Sequence, residues 1–178
     1  TVTCWGSMVS TNDLTPIDGL TNVRSISSGR GNFCVVHHDG SVSCWGRNDF
    51  AQLGVGDLDD RAEPTQVPGV TDAVAIDMGI LRTCAVHESG DLSCWGYESA
   101  GYELMGASGA GIHVTTPAKL IDVSGDDAAV VGVDVGSSHI CVQYADHISK
   151  CWGLDYYHQL GDGGANTNED TPRTVRNG

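Results

Sequence analysis

Pairs of cysteines recur along this chain at a fixed separation, and Trp-Gly follows the second cysteine of every pair. Nine residues lie between the two cysteines, and the same frame runs over Cys34 to Gly46, Cys84 to Gly96 and Cys141 to Gly153. The end of the frame appears once more as Cys4-Trp5-Gly6. Such a repeat predicts a protein built from similar units, each of which stacks on its neighbours.

The middle of each interval predicts a β-hairpin. It is polar or contains glycine, as in His38-Asp39-Gly40, Glu88-Ser89-Gly90 and Ala145-Asp146-His147. A three-residue turn whose last residue is left-handed would set the two cysteines opposite each other, within the Cα separation that a disulfide bridges. His147 fits that position less easily than glycine, so we expect the third hairpin to be the most distorted.

This register predicts three cross-strand disulfides, each contributing about 2 to 3 kcal/mol by loop entropy. The expected pairs are Cys34–Cys44, Cys84–Cys94 and Cys141–Cys151. Reduced buried thiols and metal ligands are the alternatives, although zinc sites favour tighter cysteine spacing. Disulfides in turn indicate an extracellular or cell-surface protein.

Each repeat also contains a segment that begins with proline and a β-type segment that ends in glycine five residues before the first cysteine. With no helical periodicity and 24 Gly, the chain is predicted to be all-β, with propeller-type blades of four short antiparallel strands. The predicted blades are residues 15–46, 64–96 and 117–153 of a single repeat array. Residues 1–6 would be the terminal strand of a split blade, and residues 172–178 the first strand of the next one.

The order of these markers resembles the regulator of chromosome condensation type repeat, in the cysteine-paired form of bacterial secreted proteins. The markers are a glycine, a cysteine-containing strand, the turn, Cys-Trp-Gly, then Gln-Leu-Gly, proline and valine, and they cover nearly the whole chain. The resemblance implies a propeller, commonly of seven blades, that serves as a nucleotide-exchange factor, a binding module or an inhibitor of other proteins. This chain departs from that pattern in length, since it holds three predicted blades.

An arc of three blades would leave two apolar faces open to water, and Cys4 is the odd cysteine of seven. The alternatives are part of a longer propeller, a ring of copies, or a head-to-tail filament. We expect Val2, Trp5 and Val175 to form the interface at the ends, and Cys4 to be unpaired or to pair between chains. The chain begins inside a repeat, so a mature or trimmed N-terminus is expected, with no membrane insertion.

The predicted function is therefore a non-enzymatic, extracellular structural or interaction module that self-assembles through its open blade ends. The alternative is a binding or inhibitory module that recognises a foreign protein through the loops after each Cys-Trp-Gly. The candidate contacts in those loops are Tyr97, Tyr102, Tyr156 and Tyr157. The tryptophans, placed identically in each repeat, are predicted to pack between blades.

The net charge of -14 argues against a nucleic-acid partner, because such a protein needs a cationic face. Acidic residues concentrate in the loops, where Asp162, Asn166, Asn168 and Asp170 are weak candidates for a calcium site; a solvated acidic loop is the alternative. No other cofactor is expected. His37 and His87 occupy the same position in two repeats, which predicts a structural role, and no motif singles out a catalytic centre.

Overall fold

The fold is known from a computed structural model that describes residues 2–6, 11–98, 111–121, 128–164 and 168–175. Every regular element in these ranges is a β-strand, and they contain no helix able to cross a membrane. The strands are β1 (Thr3–Gly6), β2 (Thr11–Pro16), β3 (Val23–Ser28), β4 (Asn32–His37), β5 (Val42–Gly46), β6 (Arg61–Gln66), β7 (Ala73–Met78), β8 (Arg82–His87), β9 (Leu92–Glu98), β10 (Ile112–Ile121), β11 (Val130–Val135), β12 (His139–Tyr144), β13 (Ser149–Gly153) and β14 (Glu169–Thr174).

These strands form three sheets of four antiparallel strands, each in chain order, preceded by a two-stranded sheet. We call the sheet of β3 to β6 blade 1, that of β7 to β10 blade 2 and that of β11 to β14 blade 3. The sheet of β1 and β2 is called the half-blade. The predicted all-β class with four-stranded blades is confirmed.

The hairpin register is also as predicted, because Cys34 lies opposite Cys44 and the other two pairs repeat this pairing. All three disulfides are present, with a Cα–Cα distance of 4.1 Å in each. His147 has a φ of 67° and its N–H donates to Tyr144 O at 3.0 Å, as Gly40 N–H does to His37 O. Because His147 adopts the left-handed conformation without altering this bond, the prediction of a distorted third hairpin is wrong at the turn.

The grouping of strands into blades differs from the predicted one. Each proline-led strand pairs with the hairpin that precedes it, so β6 pairs with β5 and β14 with β13. The predicted boundaries 15–46, 64–96 and 117–153 therefore divide sheets, and the strand within 172–178 belongs to blade 3 rather than to a following blade. Residues 1–6 do supply a strand of a split blade, in which β2 is the second strand. Proline lacks an N–H for a ladder, which suits these strands because each forms an outer edge.

The blades stack face to face, and each sheet has two different faces. One face carries the disulfide and points to the next blade: Cys34 and Cys44 share a buried cluster with Ile76 and Trp95 of blade 2. The other face carries the tryptophan and points to the previous blade. Blade 3 repeats this arrangement, because Trp152 packs in a cluster with the disulfide of blade 2.

One carboxylate, on the innermost strand of blade 2, accepts hydrogen bonds from the innermost strands of blades 1 and 3. Asp77 in β7 accepts a hydrogen bond from Ser27 Oγ of blade 1 at 2.9 Å and one from Val135 N of blade 3 at 2.7 Å. Ser27 Oγ in turn accepts from Met78 N at 3.1 Å. Asp77 therefore accepts hydrogen bonds from donors on both neighbouring blades. Without this acceptor the donors would lack a partner, which costs stability.

Candidate functional site

The loop after Trp45-Gly46, residues 48–54, is part of the junction between blades 1 and 2 and is called the first loop. Asn48 is buried and holds the loop from inside: its Oδ1 accepts from Leu53 N at 2.9 Å and its Nδ2 donates to Asp57 O at 2.9 Å. Gln52 Oε1 accepts from Phe50 N at 2.8 Å. These side-chain bonds to the backbone fix the loop without any regular secondary structure.

Fixed in this way, the loop binds the tryptophan face of blade 2. The carbonyl oxygen of Gln52 accepts two hydrogen bonds, from Trp95 Nε1 at 3.0 Å and from Thr83 Oγ1 at 2.7 Å. Gly54 lies against the indole, and a Cβ there would be 2.6 Å from Trp95 Nε1. Since Trp95 is 0% exposed, this contact is a buried, directional anchor between two blades.

Blade 3 carries the same loop over residues 155–161. Leu160 N donates to Asp155 Oδ1 at 2.9 Å, and Tyr157 N donates to Gln159 Oε1 at 2.8 Å, which repeats the bonds of Asn48 and Gln52. His158 has a φ of 58° where Ala51 has 60°. The loop therefore has the conformation of the one that anchors blade 2.

The two loops differ in what covers them. In the first loop Ala51, Gln52 and Gly54 are buried. In the second, His158 and Gly161 are exposed, and Tyr157 is 87% exposed. The loop of blade 3 thus has the conformation that contacts the next blade at the first junction. In the described part of the chain, however, no blade covers it.

The tyrosines proposed as partner contacts fall into three groups. Tyr97 packs within the chain, with ring centroids 5.6 Å from Phe50 and 5.0 Å from His113. Tyr102 lies outside the described residues. Tyr156 and Tyr157 are exposed, so of the four candidates these two present surface to a partner.

The residues expected at an end interface are partly used inside the chain. Val2 packs in a cluster that contains Trp45, and its carbonyl accepts from Ile17 N at 3.0 Å. Val175 N donates to Ser149 O at 2.9 Å. Cys4 lies opposite Thr15, while the side chains of Cys4 and Trp5 lie outside the described residues. An interface at these positions stays a prediction.

The candidate calcium loop is described only in part. Asp162 Oδ1 accepts from Gly164 N at 2.8 Å, Asn168 is exposed, and Asn166 and the side chain of Asp170 lie outside the described residues. Among the residues that are described, no group of three or more possible metal ligands forms. The calcium site stays a prediction.

The other acidic loop is an internal network. Asp60 Oδ1 accepts from Asn48 N at 2.7 Å and Asp57 Oδ1 from Asp59 N at 3.0 Å. The Arg61 guanidinium, which donates to Asp57 Oδ2 at 2.6 Å, lowers the pKa of Asp57 below its ordinary value. These carboxylates support the loop that contacts blade 2.

Three residues of blade 2 have the hydrogen-bond order of a nucleophilic triad. Asp72 Oδ1 lies 2.6 Å from His87 Nδ1, and His87 Nε2 lies 2.8 Å from Ser93 Oγ. However, Ser93 is 8% exposed and sits on β9, which pairs on both sides. In blade 1, His37 makes the same bond to Ser43 Oγ and uses the main-chain oxygen of Thr21 in place of a carboxylate. The repetition indicates a brace between the hairpin and the preceding connection, as predicted for these histidines.

A buried ion pair was not anticipated from the sequence. Arg82 Nη2 and Glu98 Oε1 are 3.5 Å apart, with side-chain exposures of 2% and 0%. Burial lowers the pKa of Arg82, and Glu98 acts in the opposite direction. Arg82 Nη1 also donates to Ser137 O of blade 3 at 3.3 Å, so the pair links two blades.

The anchoring loop was missed as well, although the sequence carries a signal for it. Residues 48–54 and 155–161 read Asn-Asp-Phe-Ala-Gln-Leu-Gly and Asp-Tyr-Tyr-His-Gln-Leu-Gly. The tryptophans are predicted to pack because they recur in every repeat, and the same argument applied to the recurring Gln-Leu-Gly predicts a structural role for this loop.

Stacked four-stranded sheets, joined by a tryptophan and a loop from successive units, define a β-propeller-type repeat protein. Two family models described as the regulator of chromosome condensation (RCC1) repeat match residues 39–86 and 23–52. Residues 23–86 therefore match the RCC1 repeat, which is the family that the sequence markers predicted. Comparison with curated proteins gave no match.

Solved structures of other proteins share the fold. Yeast RCC1 (Prp20) bound to Kap60 is 22% identical with a TM-score of 0.73, over 89% of this chain and 38% of that one. Prp20p from Saccharomyces cerevisiae, whose structure was described with its binding to Gsp1p and histones, is 23% identical with a TM-score of 0.73, over 89% and 39%. Human WBSCR16 is 18% identical with a TM-score of 0.79, over 93% and 41%. The chain thus spans about two fifths of the length of these structures, and the likeness concerns the fold.

Proposed function

We propose that this chain is a non-enzymatic protein-interaction module that acts outside the reducing cytosol and self-assembles head to tail through the outer faces of its blade stack. An RCC1-repeat propeller fold supports an interaction module. The proposal rests on one packing position that recurs in the blades. The side chain at this position is buried between two blades but exposed at the outer face of the stack. Ile76 of blade 2 is 8% exposed, whereas Ile26, at the same register position of blade 1, is 49% exposed.

The half-blade explains this difference. It packs against blade 1, where Val35 and Trp45 are buried in its cluster, but it leaves Ile26 of the innermost strand β3 open. At the opposite face of the stack, Tyr157 and the loop around it are exposed. Because the two outer faces differ, contacts between copies would be heterologous and would give a ring or a filament.

The compartment follows from the cysteines. Three intramolecular disulfides are consistent with an oxidising environment, and we place the protein at the cell surface or in the extracellular space on that basis. With 23 acidic residues against 9 Lys and Arg, the chain is not expected to bind nucleic acid.

Sedimentation of the oxidised chain over a range of concentrations tests the proposal. We expect species larger than the 18.6 kDa monomer, and Ile26→Asp should weaken association by about tenfold or more, because the charge would be buried at the contact. Leu58→Asp is the matched control, since Leu58 is a similarly exposed residue in the acidic loop. A single monomeric species at every concentration contradicts self-assembly.

Two other functions have specific support. Exposed Tyr156 and Tyr157 favour recognition of a foreign protein; Tyr156→Ala would then weaken partner binding without changing sedimentation. The coverage of the similar structures, between 38% and 41%, favours a part of a longer propeller, in which case the complete polypeptide would be monomeric.

A further inference from the structure

A buried asparagine lies at the junction between blades 1 and 2. Asn32 is 0% exposed, and among the described residues neither Nδ2 nor Oδ1 of its amide has a hydrogen-bond partner. Burial of polar atoms without partners costs stability, and an internal water commonly supplies the partner. We infer that a water molecule binds the Asn32 amide and links it to main-chain oxygens of the turn between β7 and β8 in blade 2. This site lies inside the stack, so it is independent of the proposed self-assembly.

The junction between blades 2 and 3 shows which group crosses at this position. Arg82 and Asn32 hold the same place in their blades, since each lies opposite the glycine of Trp-Gly. Arg82 Nη1 donates to Ser137 O of blade 3 at 3.3 Å. Ser137 is the second residue of its turn, and Ile80 holds that position in the turn of blade 2. Because asparagine is shorter than arginine, a water molecule is needed to complete the same link from Asn32 to Ile80 O.

The Asn32 amide lies beside the turn of blade 2. Asn32 Oδ1 and Gly79 O are each 2.6 Å from the position that a Cβ on Gly29 would take, so the two oxygens approach the same point from neighbouring blades. Both oxygens are acceptors, and a donor between them would satisfy both. A water molecule has two O–H donors and can also accept from an N–H, which matches the groups of this site.

The charges at the two junctions favour a neutral ligand over a cation. In blade 2 the positive charge of Arg82 has a counter-charge in Glu98, at 3.5 Å. Blade 1 has Asn48 at the position of Glu98, two residues after the glycine of Trp-Gly, and both ends of the Asn48 amide are bonded within the first loop and to the loop that follows it. A cation beside Asn32 would therefore lack the counter-charge that the guanidinium has, whereas a water needs none.

A density map that resolves ordered water, from crystals or from cryo-electron microscopy of the oxidised chain, is the direct test. A peak should lie within about 2.7 to 3.2 Å of the Asn32 amide and of Gly79 O or Ile80 O. The second junction is the internal control, because Arg82 bonds directly to Ser137 O and no peak is expected between these two groups. An Asn32 amide that bonds directly to blade 2, or that has no peak beside it, overturns the inference.

Urea unfolding of Asn32→Leu is the second measurement, because leucine has nearly the shape of asparagine and no polar side-chain atom. If a water links the amide to blade 2, this change removes a partner of that water, and the equilibrium constant for unfolding should rise by about tenfold or more. Removal of an amide that has no partner at all would instead be neutral or stabilising.

Ser25→Ala is the matched control for this measurement. Ser25 Oγ is also buried with no partner in the described part of the chain, but the counterparts of Ser25 in the other blades are Ala75 and Gly132, which carry no polar side chain. Its loss should therefore change the unfolding constant by less than about twofold. An Asn32→Leu chain that is as stable as the wild type overturns the inference. If Asn32→Leu does not fold, the density beside Asn32 in the wild type decides the matter.

Discussion

Adding a single methyl group to the loop of blade 1 should destabilise the protein through its contact with blade 2. In Gly54→Ala the new Cβ would lie 2.6, 2.7 and 2.9 Å from Nε1, Cδ1 and Cε2 of Trp95. Trp95 is fully buried and its N–H is bonded to Gln52 O, so the ring cannot move away without losing that bond. Overpacking of this kind costs about 1 to 3 kcal/mol.

The backbone adds a second term, since φ at Gly54 is 70° and a left-handed alanine costs about 1 to 2 kcal/mol. The expected loss in free energy of unfolding is therefore about 2 to 5 kcal/mol. Gly161→Ala separates the two terms, because φ there is 62° and, among the described residues, the new Cβ meets only Val175 Cγ1, at 3.3 Å. This control should lose only the backbone part, about 1 to 2 kcal/mol.

Urea unfolding of the oxidised protein, at concentrations where it is monomeric, measures both losses. The loss for Gly54→Ala should exceed that for Gly161→Ala. Equal losses would refute the reasoning, since they would mean that the indole does not lie against the loop of the preceding blade.

Three further predictions concern the disulfides and the polar ties. Under limited reduction, Cys141–Cys151 should open first, because Cys141 is only half-buried while the cysteines of the other two disulfides are fully buried. Differential alkylation followed by mass spectrometry would show the order of opening, and simultaneous opening of all three disulfides would contradict this prediction. Asp77→Ala should lower the free energy of unfolding by about 2 to 4 kcal/mol, because it leaves donors on two neighbouring blades without an acceptor; a loss under about 0.5 kcal/mol would count against the tie. Glu98→Gln should cost about 3 to 5 kcal/mol in the same assay, because the buried Arg82 loses its counter-charge, and a neutral effect would show that the pair is not buried.

The hairpins could be predicted because their determinants are local. The separation of Cys34 and Cys44 and the glycine of the turn fix the register of two adjacent strands, and the structure has that register. The strand content and the repeat class followed from the same pattern. These features need no knowledge of what lies beside the hairpin.

The grouping of strands could not be read in the same way. Each proline-led strand lies between two hairpins in the chain, so sequence order leaves open which sheet it joins. The position of Pro64 in β6 was compatible with an edge strand of either sheet. In the structure β6 pairs with β5, so it joins the sheet of the hairpin that precedes it.

Contacts between blades were the least visible in the sequence, because they join residues far apart in the chain. Asp77 bonds to Val135, and Arg82 to Ser137, across different sheets. The packing role of Trp95 is predicted from its repetition. Its hydrogen-bond acceptor is a main-chain oxygen, and because every residue has one, the sequence does not single it out. The turn glycines Gly40 and Gly90 touch the connection into the next blade, a contact that the turn sequence alone does not indicate.

The stack of blades depends on the contact between the first loop and the tryptophan of the next blade, and hydrogen exchange at the indole of Trp95 measures that contact. With its Nε1–H donated to Gln52 O and no exposed surface, this proton should exchange as slowly as the backbone amides of β8 and β9. Exchange at the rate of a solvent-exposed indole would show that Trp95 is not held by the loop of blade 1.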